Sequence, residues 1–335
     1  MSKIDFVITW VDGKDPGWLE QYNFYKNDNI NEHSKNNARF RDWENLIYWF
    51  RSVDKYCPWV RKIHLVTFGH YPNWLNVNYE KINIVCHEDI IPKEFLPTFN
   101  SRVIGVYLNK IKNLSEQFVY FNDDIFINNY INEDYFFKNG LPNDTFQMLP
   151  LTQVGNDNHE GIIKHNCINI INAKFNKIDI SKKNFFKIFN LNYTFYQNLS
   201  NLMNFPYSRF SYIKNFHMSQ PLLKSVFNEV LEENNHYVLN MSKNKFRSKD
   251  DINLALVRYW TLVQGKFNPV NREKNLKYYN IVSENLPSIV DNIKNSKNYE
   301  LCLNDCEHTD NFVFLKDQIN ETFYRKFPNK CAFEV

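Results

Sequence analysis

Glycine is scarce in this chain, 8 of 335 residues. None of the eight forms G-x-G-x-x-G or G-x-x-x-x-G-K-[ST], so neither standard phosphate loop is present. If a nucleotide binds, a metal ion and basic side chains must hold its phosphates instead. No apolar run approaches the roughly 18 residues that a membrane span requires. The start, Met1-Ser-Lys-Ile-Asp5, lacks the apolar core of a signal peptide and enters a strand almost at once, which sets the expectation of a cytoplasmic protein. Charge of one sign is also lacking: 40 basic against 37 acidic residues leave a net +3, too little for a general nucleic-acid binder. Lysines are scattered apart from a cluster at Lys243–Lys249. The six cysteines (57, 86, 167, 302, 306, 331) are spread widely and are expected to be free thiols. Cys302-x3-Cys306-x-His308 offers three zinc-type ligands but fits no strong zinc template.

What the chain has in abundance is aromatic and apolar material arranged in alternating strand and helix patterns. Ile4–Trp10 reads as a buried strand that ends in the carboxylate-rich turn Val11-Asp-Gly-Lys-Asp-Pro16. Trp43–Lys55 places Leu46, Ile47, Trp49, Phe50 and Val53 near one helical face. Lys62–Phe68 and Ile82–Cys86 are further strands, Val103–Leu114 a helix, and Gln117–Phe121 a fourth strand. Strands alternating with helices imply parallel pairing through right-handed crossovers. Beyond residue 127, Thr145–Leu149 could add a strand, and the Asn-rich, aromatic-rich Asn176–Ser211 reads as a helical insertion. Gln220–Glu233 and Ile252–Gln264 read as helices, the second capped by Ser248 or Asp250. The fold expected is α/β: a Rossmann-like or GT-A-like, mostly parallel sheet flanked by helices, with an inserted helical subdomain.

The densest chemistry lies in Phe118-Val-Tyr-Phe-Asn-Asp-Asp-Ile-Phe-Ile127. Its apolar run reads as a buried strand whose end delivers an amide and two carboxylates into a cleft. Adjacent carboxylates repel there, and a divalent metal carrying nucleotide phosphates relieves that repulsion. A plain Asn-Asp-Asp turn fits this window equally well. Polar residues also follow the other strand ends, at Asp12 and Asp15 and at His87–Asp89. In open α/β sheets, ligands bind at that carboxyl edge.

At this point the residues resemble a known family. Asp5-Phe-Val-Ile-Thr-Trp-Val-Asp-Gly-Lys-Asp-Pro16 is similar to the first conserved region of the Stealth proteins. These are bacterial capsular polysaccharide phosphotransferases related to the animal GlcNAc-1-phosphotransferase that tags lysosomal enzymes. A second region resembles Arg39-Phe-Arg-Asp42, Arg51-Ser-Val53, Pro58-Trp-Val-Arg61, Pro72-Asn-Trp-Leu75, Leu96-Pro-Thr-Phe-Asn-Ser101 and Tyr120-Phe-Asn-Asp-Asp124. A third resembles His217-Met218 with Phe246-Arg-Ser-Lys-Asp-Asp251. A fourth resembles Cys302-Leu-Asn-Asp305 with Phe327-Pro-Asn-Lys-Cys-Ala-Phe-Glu334.

The resemblance implies transfer of a hexose-1-phosphate, such as N-acetylhexosamine-1-phosphate, from a UDP-sugar to a hydroxyl of a capsular oligosaccharide or polysaccharide, with release of UMP. It implies Mg2+ (or Mn2+) held by Asp123 and Asp124, and His217 as general base. It implies Arg247 as diphosphate clamp and Asp12 at the nucleotide or the metal. Arg39, Arg41, Asn122, Asn304 and Asp305 are the implied substrate contacts. It further implies residence at the cytoplasmic face of the inner membrane beside the capsule-assembly machinery, although no amphipathic helix stands out in the sequence. One departure is visible: Gly105 stands where the family usually has Glu, and Asn109 where it has a basic or His position.

The simplest organisation is one catalytic domain over 1–335. Residues 1–127 form the nucleotide-sugar half, 128–216 a variable acceptor region, and 217–335 the part that completes the site. Two rivals remain: a metal-dependent GT-A-type glycosyltransferase, which would release UDP, and a non-catalytic carbohydrate-binding protein using its Trp and Tyr faces.

Overall fold

The computed structural model describes residues 3–28, 41–150, 159–295, 297–306 and 309–335. Strands β1 (Ile4–Thr9), β2 (Lys62–Thr67), β3 (Ile82–Cys86) and β4 (Gln117–Phe121) fall where the sequence patterns place them. The middle of the chain adds β5 (Ile125–Ile127), β6 (Phe137–Lys138), β7 (Leu141–Asp144) and β8 (Met148–Leu149). The remainder adds β9 (Tyr212–Ile213), β10 (Gln220–Leu223), β11 (Asn268–Pro269), β12 (Leu276–Asn280) and β13 (Glu300–Asn304).

The central sheet has the order β10-β4-β1-β2-β3. Its four sequence-predicted strands are all parallel, and β10 runs antiparallel along the outer edge of β4. The near-continuous apolar sequence of β1 follows from that arrangement, because an inner parallel strand is covered on both faces. Phe6, Val7 and Ile8 are accordingly inaccessible. Phe6 meets Trp49 of the helix Leu46–Tyr56 edge-on at 6.4 Å, and Trp49 meets Phe121 of β4 at 5.5 Å. Aromatic content that could have served sugar stacking is thus spent largely on the core.

The strand order places a topological switch between β1 and β4, because the chain leaves β1 toward β2 and β3 and then returns to the other side. Crevices at such points are the usual ligand sites of open α/β sheets.

After β4 the chain turns at Asn122-Asp123-Asp124, and β5 joins a second sheet of order β12-β13-β5. The structure corrects several sequence readings. Gln220–Glu233 is not all helix. Its first four residues form β10, and the helix spans Lys224–Glu233. Pro221 is tolerated because β10 is an edge strand, where one missing N–H need not break a ladder. The expected helix Val103–Leu114 begins earlier and breaks sooner, as a helix over Ser101–Val106 and a 3-10 turn over Leu108–Lys110. Asn100 starts it by accepting the Arg102 N–H. Of the strand expected at Thr145–Leu149, only Met148–Leu149 is strand, as β8; β7 has already ended at Asp144. The helix expected from Ile252 begins at Ala255, whose N–H goes to Asn253 rather than to Ser248 or Asp250. The insertion is helical as expected, through Lys177–Lys183, Phe185–Ile188 and Phe195–Asn204.

Asp5, inside the first conserved motif, has a structural task. Its side chain is fully buried and takes hydrogen bonds from Arg61 Nε and Nη2, His64 Nε2 at 3.0 Å and the Ser115 N–H at 2.8 Å. Burial pushes its pKa up, but the His64 and Arg61 contacts outweigh that and hold it below the ordinary 3.8. A depressed carboxylate stabilises the fold above its unfolded pKa and loses that contribution as pH falls through the folded value. Asp5→Ala should therefore cost about 3 kcal/mol at neutral pH, the lower end for a broken buried pair because Arg61 stays partly solvated. Urea denaturation checks this, and the deficit should shrink below the ordinary carboxylate pKa.

Candidate active site

A cavity of about 680 Å³ opens at the carboxyl edge of the central sheet, over the switch point. Thr9, Trp10 and Val11 enter it from the end of β1, and Asn122, Asp123 and Asp124 from the end of β4. The antiparallel register sets Gln220 of β10 opposite Tyr120 of β4. The residues just before β10 therefore run past the end of β4, and His217 arrives at the aspartates. From the second sheet, Cys302 of β13 lies opposite Ile125 of β5, and the Leu303 N–H donates to the Asp124 carbonyl at 2.9 Å. Asn304 and Asp305 then enter the same cavity. The Asn-Asp-Asp turn is thus the seam between two sheets.

At that seam His217 Nε2 stands 2.8 Å from Asp124 Oδ2. The buried Cys302 thiol donates to the same oxygen at 3.6 Å, its pKa driven far up by burial and by Asp124. Asp124 Oδ1 is buried without a hydrogen-bond partner. Burial lowers the His217 pKa, but the hydrogen bond and charge of Asp124 outweigh it and hold the imidazole above its ordinary 6.5. Asp123 is raised to about 7, first by the surrounding protein and then by Asp124. Solvent reaches its side chain all the same, so the cause is a crowded cleft and not a sealed core. Asp42 lines the same cavity and is also raised, by burial and by Asp12 and Glu44.

Asp123 and Asp42 are thus both raised by burial and by neighbouring carboxylates, as a concentration of acidic groups in one cleft produces. The unpartnered Asp124 Oδ1 is an available oxygen ligand. Ligand atoms of Asp124, His217 and Cys302 lie within 4.8 Å of one another. That trio offers one oxygen, one nitrogen and one sulfur; with the Asp123 and Asp42 carboxylates in the same wall, the donors fit a divalent cation held mainly through carboxylate oxygens. The zinc reading of Cys302, Cys306 and His308 gains nothing: Cys302 is engaged with Asp124, Cys306 Sγ with Thr309 at 3.7 Å, and His308 lies outside the described residues. All six cysteines are free, as expected.

Opposite the aspartates, Arg247 bonds Ser101 Oγ at 2.7 and 3.2 Å and stands 4.0 Å from Glu160. It does not pair with its sequence neighbours Asp250 and Asp251. Asp251 is buried and instead receives Asn100 at 2.9 Å and Arg102 at 3.4 Å. Together with the Phe99 N–H to the Lys245 carbonyl, these bonds fasten the Arg247 segment to the helix Ser101–Val106.

The other expected contacts divide. Asn122 accepts the Tyr120 hydroxyl at 2.8 Å, and Asn304 donates to Asn280 at 2.8 Å; both face the cavity. Arg41 and Asp305 also line it but grip each other through two bonds of 2.6 and 3.0 Å, with Trp43 and Thr309 completing the Asp305 carboxylate. Asp12 is held in a turn: its Oδ1 accepts the Lys14 N–H, and its own N–H goes to His70 Nε2. The cavity wall reaches Val11 and not Asp12. Arg39 lies outside the described residues. Beyond the second β-strand crossover, His87 lines the cavity but is buried, and burial lowers its pKa to about 4, leaving it neutral.

Sequence reasoning missed Glu160 and Lys164, which line the cavity four residues apart on the helix His159–Lys174. That spacing puts both on one face, but no strand end flags them. Tyr278, edge-on to His217 at 6.0 Å, was missed for the same reason. Gly105 lies in the wall, where an added Cβ would meet Leu254 Cγ at an ordinary 3.5 Å. If His217 takes a proton during the reaction, His217→Ala should lower kcat by about 10²–10⁴ while leaving the donor KM nearly unchanged. Steady-state kinetics with the donor varied would check this; an unchanged kcat removes His217 from the chemistry.

Comparison with known proteins adds lineage to this geometry. Residues 2–30 match Stealth protein CR1, conserved region 1, and residues 39–144 match Stealth protein CR2, conserved region 2. The chain is 43% identical over its full length to a capsular polysaccharide phosphotransferase WcwK of Streptococcus pneumoniae, covering 98% of that protein. It is 37% identical to the exopolysaccharide phosphotransferase cps2G of Lactiplantibacillus plantarum, over 99% of this chain and 96% of that one. The third and fourth motif regions are covered by these full-length alignments alone. Among solved structures, the galactosyltransferase LgtC with donor and acceptor sugar analogs overlaps 95% of each chain at 9% identity and a TM-score of 0.35, too loose a likeness to argue from.

Proposed function

The chain belongs to the Stealth family, and on that premise we propose that it transfers a hexose-1-phosphate from a UDP-sugar to a glycan hydroxyl. The observation that carries the proposal is the meeting of Asp123, Asp124 and His217 opposite Arg247 at the switch point of the sheet. The acceptor oxygen attacks the phosphorus nearer the sugar, the P–O bond of the diphosphate breaks, and UMP leaves. A phosphodiester forms, and the anomeric carbon keeps its configuration.

His217 takes the hydroxyl proton. Its Nε2–H donates to Asp124, so the neutral ring offers Nδ1 as acceptor, and Asp124 stabilises the imidazolium that results. Arg247 is permanently charged and can clamp two phosphate oxygens. Its bonds to Ser101 hold it in place before substrate arrives. Asp123 and Asp124 would hold a divalent cation, which when bound offsets the charge of the diphosphate. Asn122 and Asn304 contact the substrate directly. Arg41 and Asp305 act as a closed pair that forms the wall, and Asp12 orders the turn at its edge. Residues 128–216 present the acceptor, a capsular oligosaccharide or polysaccharide.

The reaction fits a cytoplasmic setting beside the capsule-assembly machinery at the membrane. Among the described residues no helix is long and apolar enough to cross a membrane.

Phosphorus NMR on the protein with Mg2+, a panel of UDP-sugars and a short capsular acceptor tests the reading. UMP together with a new phosphodiester signal is expected. UDP with a new glycosidic bond would make the protein a conventional glycosyltransferase and overturn it.

A further inference from the structure

The helix Phe195–Asn204 is inside out. Its polar residues Gln197, Ser200, Asn201 and Asn204 are buried, whereas Phe195 is 83% exposed and Met203 68%, with Tyr196, Leu199 and Leu202 exposed between them. The inward face is committed. Asn201 donates to the carbonyls of Phe146 at 2.9 Å and Ile188 at 2.7 Å, and its Oδ1 accepts the Met148 N–H at 2.6 Å. Ser200 donates to the Met148 carbonyl at 2.5 Å. A reciprocal capping box between Thr194 and Gln197 fixes the first turn. The helix therefore cannot roll to hide its apolar stripe. Phe186, 81% exposed on the neighbouring helix Phe185–Ile188, and the fully exposed Leu191 in the connecting turn extend the apolar surface.

Isolated exposed apolar residues are ordinary, but a contiguous group of this kind marks an interaction surface. The charges around it indicate the partner. The flanking segments carry exposed Lys182, Lys183 and Arg209, and Asp179 as the nearby exposed acid. Aromatic and aliphatic side chains on one face, with basic residues beside them, are what an interfacial helix presents to anionic lipid. A symmetric pairing of two copies through the same patch would bring these like charges together. We propose that this face, built by Phe185–Ile188, Leu191 and Phe195–Asn204, seats the protein on an anionic lipid bilayer. The inference stands on this surface alone and would survive a different reaction in the cleft.

The test is sedimentation of the full chain with phosphatidylcholine vesicles, with and without phosphatidylglycerol. The wild-type protein should pellet with the phosphatidylglycerol vesicles. Combining Phe186→Ser, Phe195→Ser, Leu202→Ser and Met203→Ser should weaken binding by about tenfold or more, with an unchanged circular dichroism spectrum. Combining Lys182→Glu, Lys183→Glu and Arg209→Glu should abolish the preference for the anionic lipid, and this second variant carries the test if the first does not fold. Wild-type protein remaining in the supernatant with both vesicle types would overturn the proposal. So would a lipid-free dimer, seen by sedimentation equilibrium, that the apolar substitutions convert to monomer.

Discussion

The contact between His217 and Asp124 joins side chains 93 residues apart, and it exists only because β10 pairs antiparallel with the edge of β4. That pairing fixes where the chain before β10 must run, and it runs across the end of β4 into the aspartate turn. A helix at Gln220, as the periodicity suggested, would have left His217 with no defined place. The same turn sends β5 into a second sheet, where β13 pairs with it and brings Asn304 and Asp305 to the opposite wall. One acidic tripeptide therefore positions three distant parts of the chain.

Buried ion pairs keep these parts in register. Arg272 bonds Glu300 of β13 at 3.0 Å and also grips the Ser219 carbonyl and hydroxyl, while Glu300 accepts the Ser219 N–H at 2.9 Å and the Tyr135 hydroxyl at 2.7 Å. Ser219 is two residues from His217, so this network holds His217 and β13 relative to one another. Arg258 does the same for the preceding segment, pairing with Asp144 of β7 and donating to the Lys214 carbonyl at 2.7 Å. Arg51 ties the helix Leu46–Tyr56 to Glu334 in the fourth motif region. Such pairs add little net stability compared with apolar substitutes, but losing one partner strands a buried charge. Their observable effect here is to fix geometry. Several residues of the shared motifs, Asp5, Arg51, Arg61 and Glu334 among them, are accounted for in this way and not by contact with substrate.

The four parallel strands and the polar residues at their ends were legible because buried strands write continuous apolar runs, and turns interrupt them with Asn, Asp and Gly. β10 was not legible: four residues with a proline, leading directly into a helix, carry no period of their own. Glu160, Lys164 and Tyr278 belong to the cavity only through tertiary packing. The orientation of Phe195–Asn204 was hidden for a different reason. Periodicity reveals that a helix has an apolar face, but not which way the face points. The burial of Asn201 and Ser200 decides that, and it depends on backbone groups of β8 and of the helix Phe185–Ile188.

A crowd of carboxylates at the seam, with one buried oxygen lacking a partner, gives the site its character. It would repel a nucleotide diphosphate unless a cation is part of the complex. Electron paramagnetic resonance of Mn2+, recorded with and without a UDP-sugar, addresses this directly. The account predicts that the free-ion signal falls when protein and donor are both present, and that Asp123→Asn/Asp124→Asn restores it. An unchanged signal with the wild-type protein, or equal binding by the double variant, would contradict the assignment of this seam as the centre of the reaction.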